Sequence, residues 1–265
     1  MTSSYLLAGQ ATELARLQLQ SRVWEPAGRD LLANLPHGPG VRALDVGCGV
    51  MGWLRLLSVW AGPDGKVMGA DVDERMLAMA RDFVANEQLG NVALVKDDLF
   101  SSQFAAASFD LVHARFQLAP LGRHREQVDA YLRLVTRGGV LVLEDPDTGS
   151  WHFNPPAPAC DRLIALIERS FLAGGGDFNA GRTARGLLAS MGLAAEVRAH
   201  AIALEPGHPY LRLPLQFASA LRPRLLNLVQ EDELDRMLAA AEGELQAPGR
   251  WGTTFTLIQT WTRPT

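Results

Sequence analysis

Three glycines and a spaced set of acids carry the chemistry legible in this chain. Gly47, Gly49 and Gly52 fall within Leu44-Asp45-Val46-Gly47-Cys48-Gly49-Val50-Met51-Gly52, after a short apolar run and before helical spacing resumes. G-x-G-x-x-G in that context lets the backbone turn sharply and lets a ligand come close to it. Asp71 lies roughly 20 residues further on, where a carboxylate can accept both hydroxyls of a ribose. It ends the run Val67-Met68-Gly69-Ala70-Asp71. A third apolar run closes on Val95-Lys96-Asp97-Asp98-Leu99. The spacing is that of a nucleoside site.

Asp45 bears on which nucleoside. It stands two residues before the first glycine, where a carboxylate would repel the pyrophosphate of a nicotinamide cofactor and favour a ligand with cationic groups. The competing reading is that Asp45 only caps the helix that follows.

Asp45-Val46-Gly47-Cys48-Gly49 resembles the first motif of the class I S-adenosylmethionine-dependent methyltransferases. The likeness extends over roughly residues 41–145. It takes in Ser108-Phe109-Asp110-Leu111-Val112-His113-Ala114-Arg115-Phe116, and Val135-Thr136-Arg137-Gly138-Gly139 with the apolar run up to Glu144. It departs from the family at Val50-Met51-Gly52, where a small residue and then glycine usually follow Gly49. The resemblance implies S-adenosylmethionine as cofactor, held at Asp45, Gly47, Cys48 and Gly49. It implies Asp71 for the ribose, with Val72 and Met76 nearby, and Asp97 for the adenine amine, with backbone from Asp98 and Leu99. Ala114 and Arg115 would lie near the sulfonium, and Asp110 would be structural. Asp73 reads as the N-cap of the next helix. The N-terminal stretch from Tyr5 through Arg16 and Gln20 resembles the lid helix of small-molecule members.

Methyl transfer from a sulfonium is an in-line displacement with a neutral leaving group, so it needs alignment first and a base only where the acceptor must lose a proton. His113 and His152 are the candidate bases. Phe116, Trp151, Phe153 and Phe178, with Tyr5, are candidates for an apolar acceptor pocket, and ordinary core is the competing reading of the aromatics. His124, between Arg123 and Arg125, reads as solvated. No cluster has metal-ligand spacing, so no metal is expected.

These residues must be positioned by an α/β framework. Short apolar runs at 41–46, 66–71, 91–95, 109–113 and 140–144 alternate with helical spacing at 53–60, 74–87 and 125–135, which predicts a doubly wound, mostly parallel sheet. With late strands at 194–204 and 251–262, the resemblance implies a seven-stranded, Rossmann-like methyltransferase fold. One domain is expected: N-terminal lid helices over 1–40, a cofactor-binding core over 41–145, and cap helices with the last strands over 146–265. Pro26 and Gly28 predict a break between two N-terminal helices.

At 265 residues with a net charge of −4, the chain has no electrostatic reason to seek nucleic acid or an anionic membrane. Two cysteines make no disulfide framework, and neither a signal peptide nor a spanning segment is evident, so a cytoplasmic location is expected. A small-molecule acceptor is the expected partner, and a homodimer is carried as the oligomeric expectation. The competing functions are a nicotinamide-dependent oxidoreductase, which lacks a Tyr-x-x-x-Lys pair here, and a protein that binds S-adenosylmethionine without methylating.

Overall fold

The computed structural model describes residues 11–35 and 40–264, with side chains from residue 15 onward. Tyr5, the start of the predicted lid helix and His37 lie outside the described residues.

The chain opens with α1 (Ala11–Leu32) and then alternates: β1 (Arg42–Val46), α2 (Leu54–Ala61), β2 (Lys66–Asp71), α3 (Glu74–Asn86), β3 (Val92–Lys96) and β4 (Phe109–Arg115). Next come α4 (Leu118–Leu121), α5 (His124–Leu134), β5 (Val135–Asp147), β6 (Phe153–Asn154), α6 (Pro158–Ala173), α7 (Ala180–Ser190) and β7 (Ala195–His200). The last elements are β8 (Ala203–Leu204), α8 (Leu213–Leu225), α9 (Glu231–Leu245), β9 (Trp251–Thr253) and β10 (Thr256–Thr262).

Seven strands form one sheet in the order β3-β2-β1-β4-β5-β10-β7, and β10 alone runs antiparallel to its neighbours. The order reverses between β1 and β4, and the ends of β1, β2, β3 and β4 open together at that crevice. Ligands of open α/β sheets bind there. Strand alternation sorts the side chains. Ala43, Leu111, Val140 and Val142 face α1 and α2, whereas Leu44, Val112, Leu141 and Leu143 face the larger core on the other side. The same parity turns Asp45, His113, Arg115 and Glu144 toward α1 and α2.

The predicted break after residue 23 is not there. α1 runs through Pro26. An interior proline forfeits one helical hydrogen bond, but Trp24, Ala27, Leu31 and Leu32 are buried on this helix and hold it together. Gly28 serves packing instead of a turn: a Cβ there would stand 2.7 Å from Leu56 Cδ1 and 3.0 Å from the Trp53 ring, so its absence lets α1 lie close on α2. The late strands also differ. The run 251–262 splits into β9 and β10 because Phe255, 1 % exposed, turns into the core. β9 then joins β6 and β8 in a small three-stranded antiparallel sheet.

The helices α6, α8 and α9 pack on one another, and α8 also meets α1. An aromatic cluster joins them to the sheet. Phe178 lies 5.4 Å from Phe217 and 6.2 Å from Phe255, and Trp24 of α1 lies 5.3 Å from Phe255.

Candidate functional site

The glycine turn is built around two carboxylates. Gly47 has φ +64, a conformation that L side chains rarely adopt, and a Cβ there would displace the Gln117 amide, which lies 2.2 Å away. Gly52 has φ +39, and a Cβ there would sit 2.2 Å from Asp45 Oδ2. Asp71, ending β2, accepts from the backbone N–H of Gly49 at 2.9 Å and of Asp73 at 2.9 Å. A carboxylate offers about four lone-pair positions, so Asp71 spends two on holding the turn and keeps acceptors for a ligand. Burial, the largest influence, raises its carboxyl above the ordinary value, and the Asp73 and Gly49 N–H groups pull it partly back.

A cleft of about 1250 Å³ opens over this turn. Asp45, Gly47, Cys48, Gly49, Asp71, Val72, Met76, Asp97, Asp98, Leu99 and Arg115 all line it, as does Phe116. Around Asp71 and the β3 end, Asp97 accepts from the Gln103 N–H and Asp98 from the Phe100 N–H, each at 3.0 Å and through one oxygen. Asp73 caps α3 through the Arg75 N–H. Asp110 is tied to the framework, accepting from the Arg42 N–H and the Thr136 hydroxyl.

Asp45 is placed otherwise than its charge suggested. Although it borders the cleft, it is 1 % exposed, and both its oxygens are taken inside the protein. Oδ2 accepts the Trp53 N–H at 2.7 Å at the head of α2, and Oδ1 meets His113 Nδ1 at 2.7 Å. The carboxylate thus ties the residue that precedes α2 to the end of β1, and the argument that Asp45 repels a pyrophosphate is weakened because both of its oxygens already have partners.

His113 does not border the cleft. It is fully buried, stacked on Trp53 with ring centroids 3.7 Å apart, and its Nε2 lies 3.2 Å from Glu144 Oε2. Burial alone would lower its pKa, but Asp45 and then Glu144 hold it above the usual value. A ring clamped between two carboxylates and sealed from solvent is no base for a bound acceptor. His152, the other candidate, is exposed, bonds the Gly149 carbonyl at 3.1 Å, and is also absent from the cleft wall. Ala114 is buried on the opposite face of β4. Trp151, Phe153 and Phe178 are 3 %, 7 % and 3 % exposed and belong to the core, so only Phe116 of the described aromatic candidates reaches the cleft. It does so at φ 56, a left-handed conformation that aromatics rarely adopt and that tight surroundings must enforce.

Among the described residues, no cap helix lines the cleft. Its wall beyond the turn comes from α1 (Leu17, Gln20, Ser21) and from Arg115, Phe116 and Gln117. Ser21, Gln117 and the Glu144 partnership were not picked out from sequence. The available signal was parity, since His113 and Glu144 point to the same face on neighbouring parallel strands. Among the described residues no group of acids, histidines and cysteines could hold a metal, and no helix is long and apolar enough to cross a membrane.

A methyltransferase-domain family model matches residues 43–139, from within β1 to the start of the apolar part of β5. Over this segment the chain is similar to the class I S-adenosylmethionine-dependent methyltransferases. Among curated proteins, a demethylmenaquinone methyltransferase of Geobacillus kaustophilus is 33 % identical over 113 residues, 43 % of this chain and 48 % of that protein. The chain thus spans about half the length of the curated relatives it matches. Among solved structures, the YcgJ protein of Bacillus subtilis aligns at a TM-score of 0.57 with 16 % identity, covering 91 % of this chain and 100 % of the other. An Aquifex aeolicus SAM-dependent methyltransferase aligns at 0.56 with 20 % identity, over 72 % and 92 %. At such identities the structures establish a shared fold.

Proposed function

We propose that this methyltransferase domain transfers a methyl group from S-adenosylmethionine to a small-molecule acceptor. The observation that carries the reading is the Asp71–Gly49 hydrogen bond at 2.9 Å, which fastens the ribose-binding acid to the glycine turn at the mouth of the cleft. The residues fit an S-adenosyl group. A Cβ at Gly49 would meet nothing within 4 Å, so the turn is open to close approach. Val72, Met76 and Leu99 offer apolar surface beside the acids of β2 and β3. When bound, the cofactor supplies a methyl group already activated by its sulfonium.

The chain's own part is alignment. Among the described residues, the wall from α1 and the β4 end presents no carboxylate or imidazole to the cleft, which favours proximity over proton transfer. The curated relatives' names point to a quinone-type acceptor, but the family match stops at residue 139, before α6, α8 and α9. We therefore leave the acceptor at small molecule. Calorimetry tests the reading: S-adenosylhomocysteine should bind at the micromolar level, on the order of −8 kcal/mol, and NAD should not bind comparably. The reverse order would replace the reading with a nicotinamide enzyme.

A further inference from the structure

Arg16, Gln20, Trp24, Ala27 and Leu31 form one buried stripe of α1, at the three- and four-residue spacing of a helix face. Arg16 and Gln20 are its polar members. Arg16 is 2 % exposed and lies over the Phe217 ring of α8 at 4.8 Å. Its Nη1 donates to Gln20 Oε1 at 2.8 Å. A guanidinium can only donate, so this bond fixes which end of the amide is which, and the Gln20 NH2 faces away from Arg16. That NH2 bonds none of the described residues and keeps accessible surface, and Gln20, 8 % exposed, lines the cleft. An amide donor in so enclosed a place is costly unless an acceptor meets it.

The surroundings define that acceptor. Donation from the Arg16 cation polarises the amide and strengthens its N–H groups, which suits an oxygen carrying negative charge. The local field has the same sign: burial pushes the Tyr210 phenol up, but the Trp24 N–H, Arg16 and Arg115 each draw it back toward ionisation. Apolar wall adjoins the amide. Leu17 precedes it on α1, and Phe116 meets Phe255 at 5.8 Å, the ring that Trp24 of the stripe also touches. Ser21, on the neighbouring face of α1, is the residue bonded to the glycine turn at the Gly52 carbonyl, whereas the Gln20 stripe runs against α8. The amide therefore serves the side of the cleft away from the turn. We propose that Gln20, oriented by Arg16, holds the ionised oxygen of the methyl acceptor, a phenolate or enolate set on an apolar body. This rests on the methyl-transfer reading above. Such an acceptor sheds its proton to solvent as it binds and asks for no base from the wall.

The probe is 4-nitrophenol, whose phenolate absorbs visible light, with nitrobenzene as the control that lacks the phenolic oxygen. Both are titrated into protein loaded with S-adenosylhomocysteine. The wild type should bind 4-nitrophenolate and lower the apparent pKa of the probe, read at the phenolate band. Gln20→Leu keeps the volume and removes the donor. It should weaken 4-nitrophenolate by roughly tenfold, the worth of one hydrogen bond to a charged group. Nitrobenzene should bind both proteins alike, and affinity for S-adenosylhomocysteine should stay within roughly threefold. Should Gln20→Leu not fold, Gln20→Glu, which keeps a partner for Arg16 and offers the probe an acceptor in place of a donor, decides on the same comparisons. Unchanged phenolate binding, equal losses for both probes, or no phenolate binding by the loaded wild type overturns the proposal. So does weakening of S-adenosylhomocysteine with 5′-methylthioadenosine unchanged, which would give Gln20 to the donor's amino-acid tail. Failure of the wild-type protein to bind S-adenosylhomocysteine would instead strike the cofactor reading.

Discussion

At the scale of single residues, the two acids bonded to the glycine turn divide into one that keeps acceptors beside the cleft and one whose oxygens are both taken inside the protein. Asp71 is the first kind, and Asp71→Ala should weaken S-adenosylhomocysteine by roughly 1.5–3 kcal/mol, the worth of hydrogen bonds to a charged acceptor; an unchanged dissociation constant in a folded variant would remove it from the ribose site. Asp45 is the second kind. Asp45→Asn leaves His113 with one carboxylate in a sealed site, so urea denaturation should register a loss of about 3 kcal/mol, while affinity for S-adenosylhomocysteine stays within roughly threefold. Weakened binding at full stability would return Asp45 to direct ligand contact. Asp145, beside Glu144, shows the cost of burial plainly. It accepts the Ala119 N–H at 3.0 Å through Oδ1, Oδ2 has no hydrogen-bond partner among the described residues, and burial raises its pKa to about 8. Between its unfolded value near 4 and its folded value near 8, the native state holds a proton the unfolded chain has released, so stability falls as pH rises through that window. Asp145→Asn should flatten the decline in unfolding free energy, read by urea denaturation across the same window, by an amount on the order of a few kcal/mol at its alkaline end. A decline as steep as in the wild type would place the titration elsewhere.

At the scale of elements, the turn after β1 is a tight fitting more than a flexible loop. Its departure from the family pattern, Val50-Met51-Gly52, keeps a glycine where Asp45 Oδ2 reaches the head of α2. Gly52→Ala would put a Cβ 2.2 Å from that oxygen and 2.7 Å from the Cys48 carbonyl, at a φ that alanine resists. Asp45 would be driven from the Trp53 N–H, and both stability and nucleoside affinity should fall, stability by about 2–4 kcal/mol. Thermal melts and calorimetry on the one variant check both, and a variant that melts like the wild type would mean the turn relaxes freely. How far such elements could be read in advance follows from range. β2 was legible to the residue, as was the Asp73 cap, because both follow from neighbours in sequence. α1 was misread at Pro26 and Gly28 because the contacts that carry the helix through, to Trp53 and Leu56, are long-range. His113 stands in the sequence as one of two candidate bases because nothing near it along the chain announces Asp45 and Glu144 on its two sides. Of the strand-end candidates, Asp45, Asp71 and Asp97 line the cleft, since strand order and the crevice rule suffice for them, whereas Ala114 needed the parity of β4 as well.

At the scale of the whole molecule, the question is whether the cap is a separate body or one with the sheet. The aromatic cluster argues for one body. Trp151 stacks on Phe178 at 6.1 Å and meets Phe217 of α8 at 6.5 Å, while Phe255, just before β10, touches Trp24 of α1, Trp151 and Phe178. α1, α8 and the strand entering the large sheet thus share a single apolar core with α6 and α7. Parts that bury their apolar surface in common lose it in common, and unfolding should be one cooperative event. Trp151→Ala should cost about 3–5 kcal/mol as a core cavity. Because Trp151 borders the core and not the cleft, affinity for S-adenosylhomocysteine in the folded variant should be nearly unchanged. Urea unfolding followed by far-ultraviolet and near-ultraviolet circular dichroism should give coincident transitions in wild type and variant, with the variant's midpoint lower. Two separated transitions would make the cap a unit of its own. Intact stability with an altered response to acceptors would return Trp151 to a substrate pocket. The coincident outcome means that α1, whose Gln20 and Ser21 line the cleft, unfolds in one step with the helices packed over the sheet.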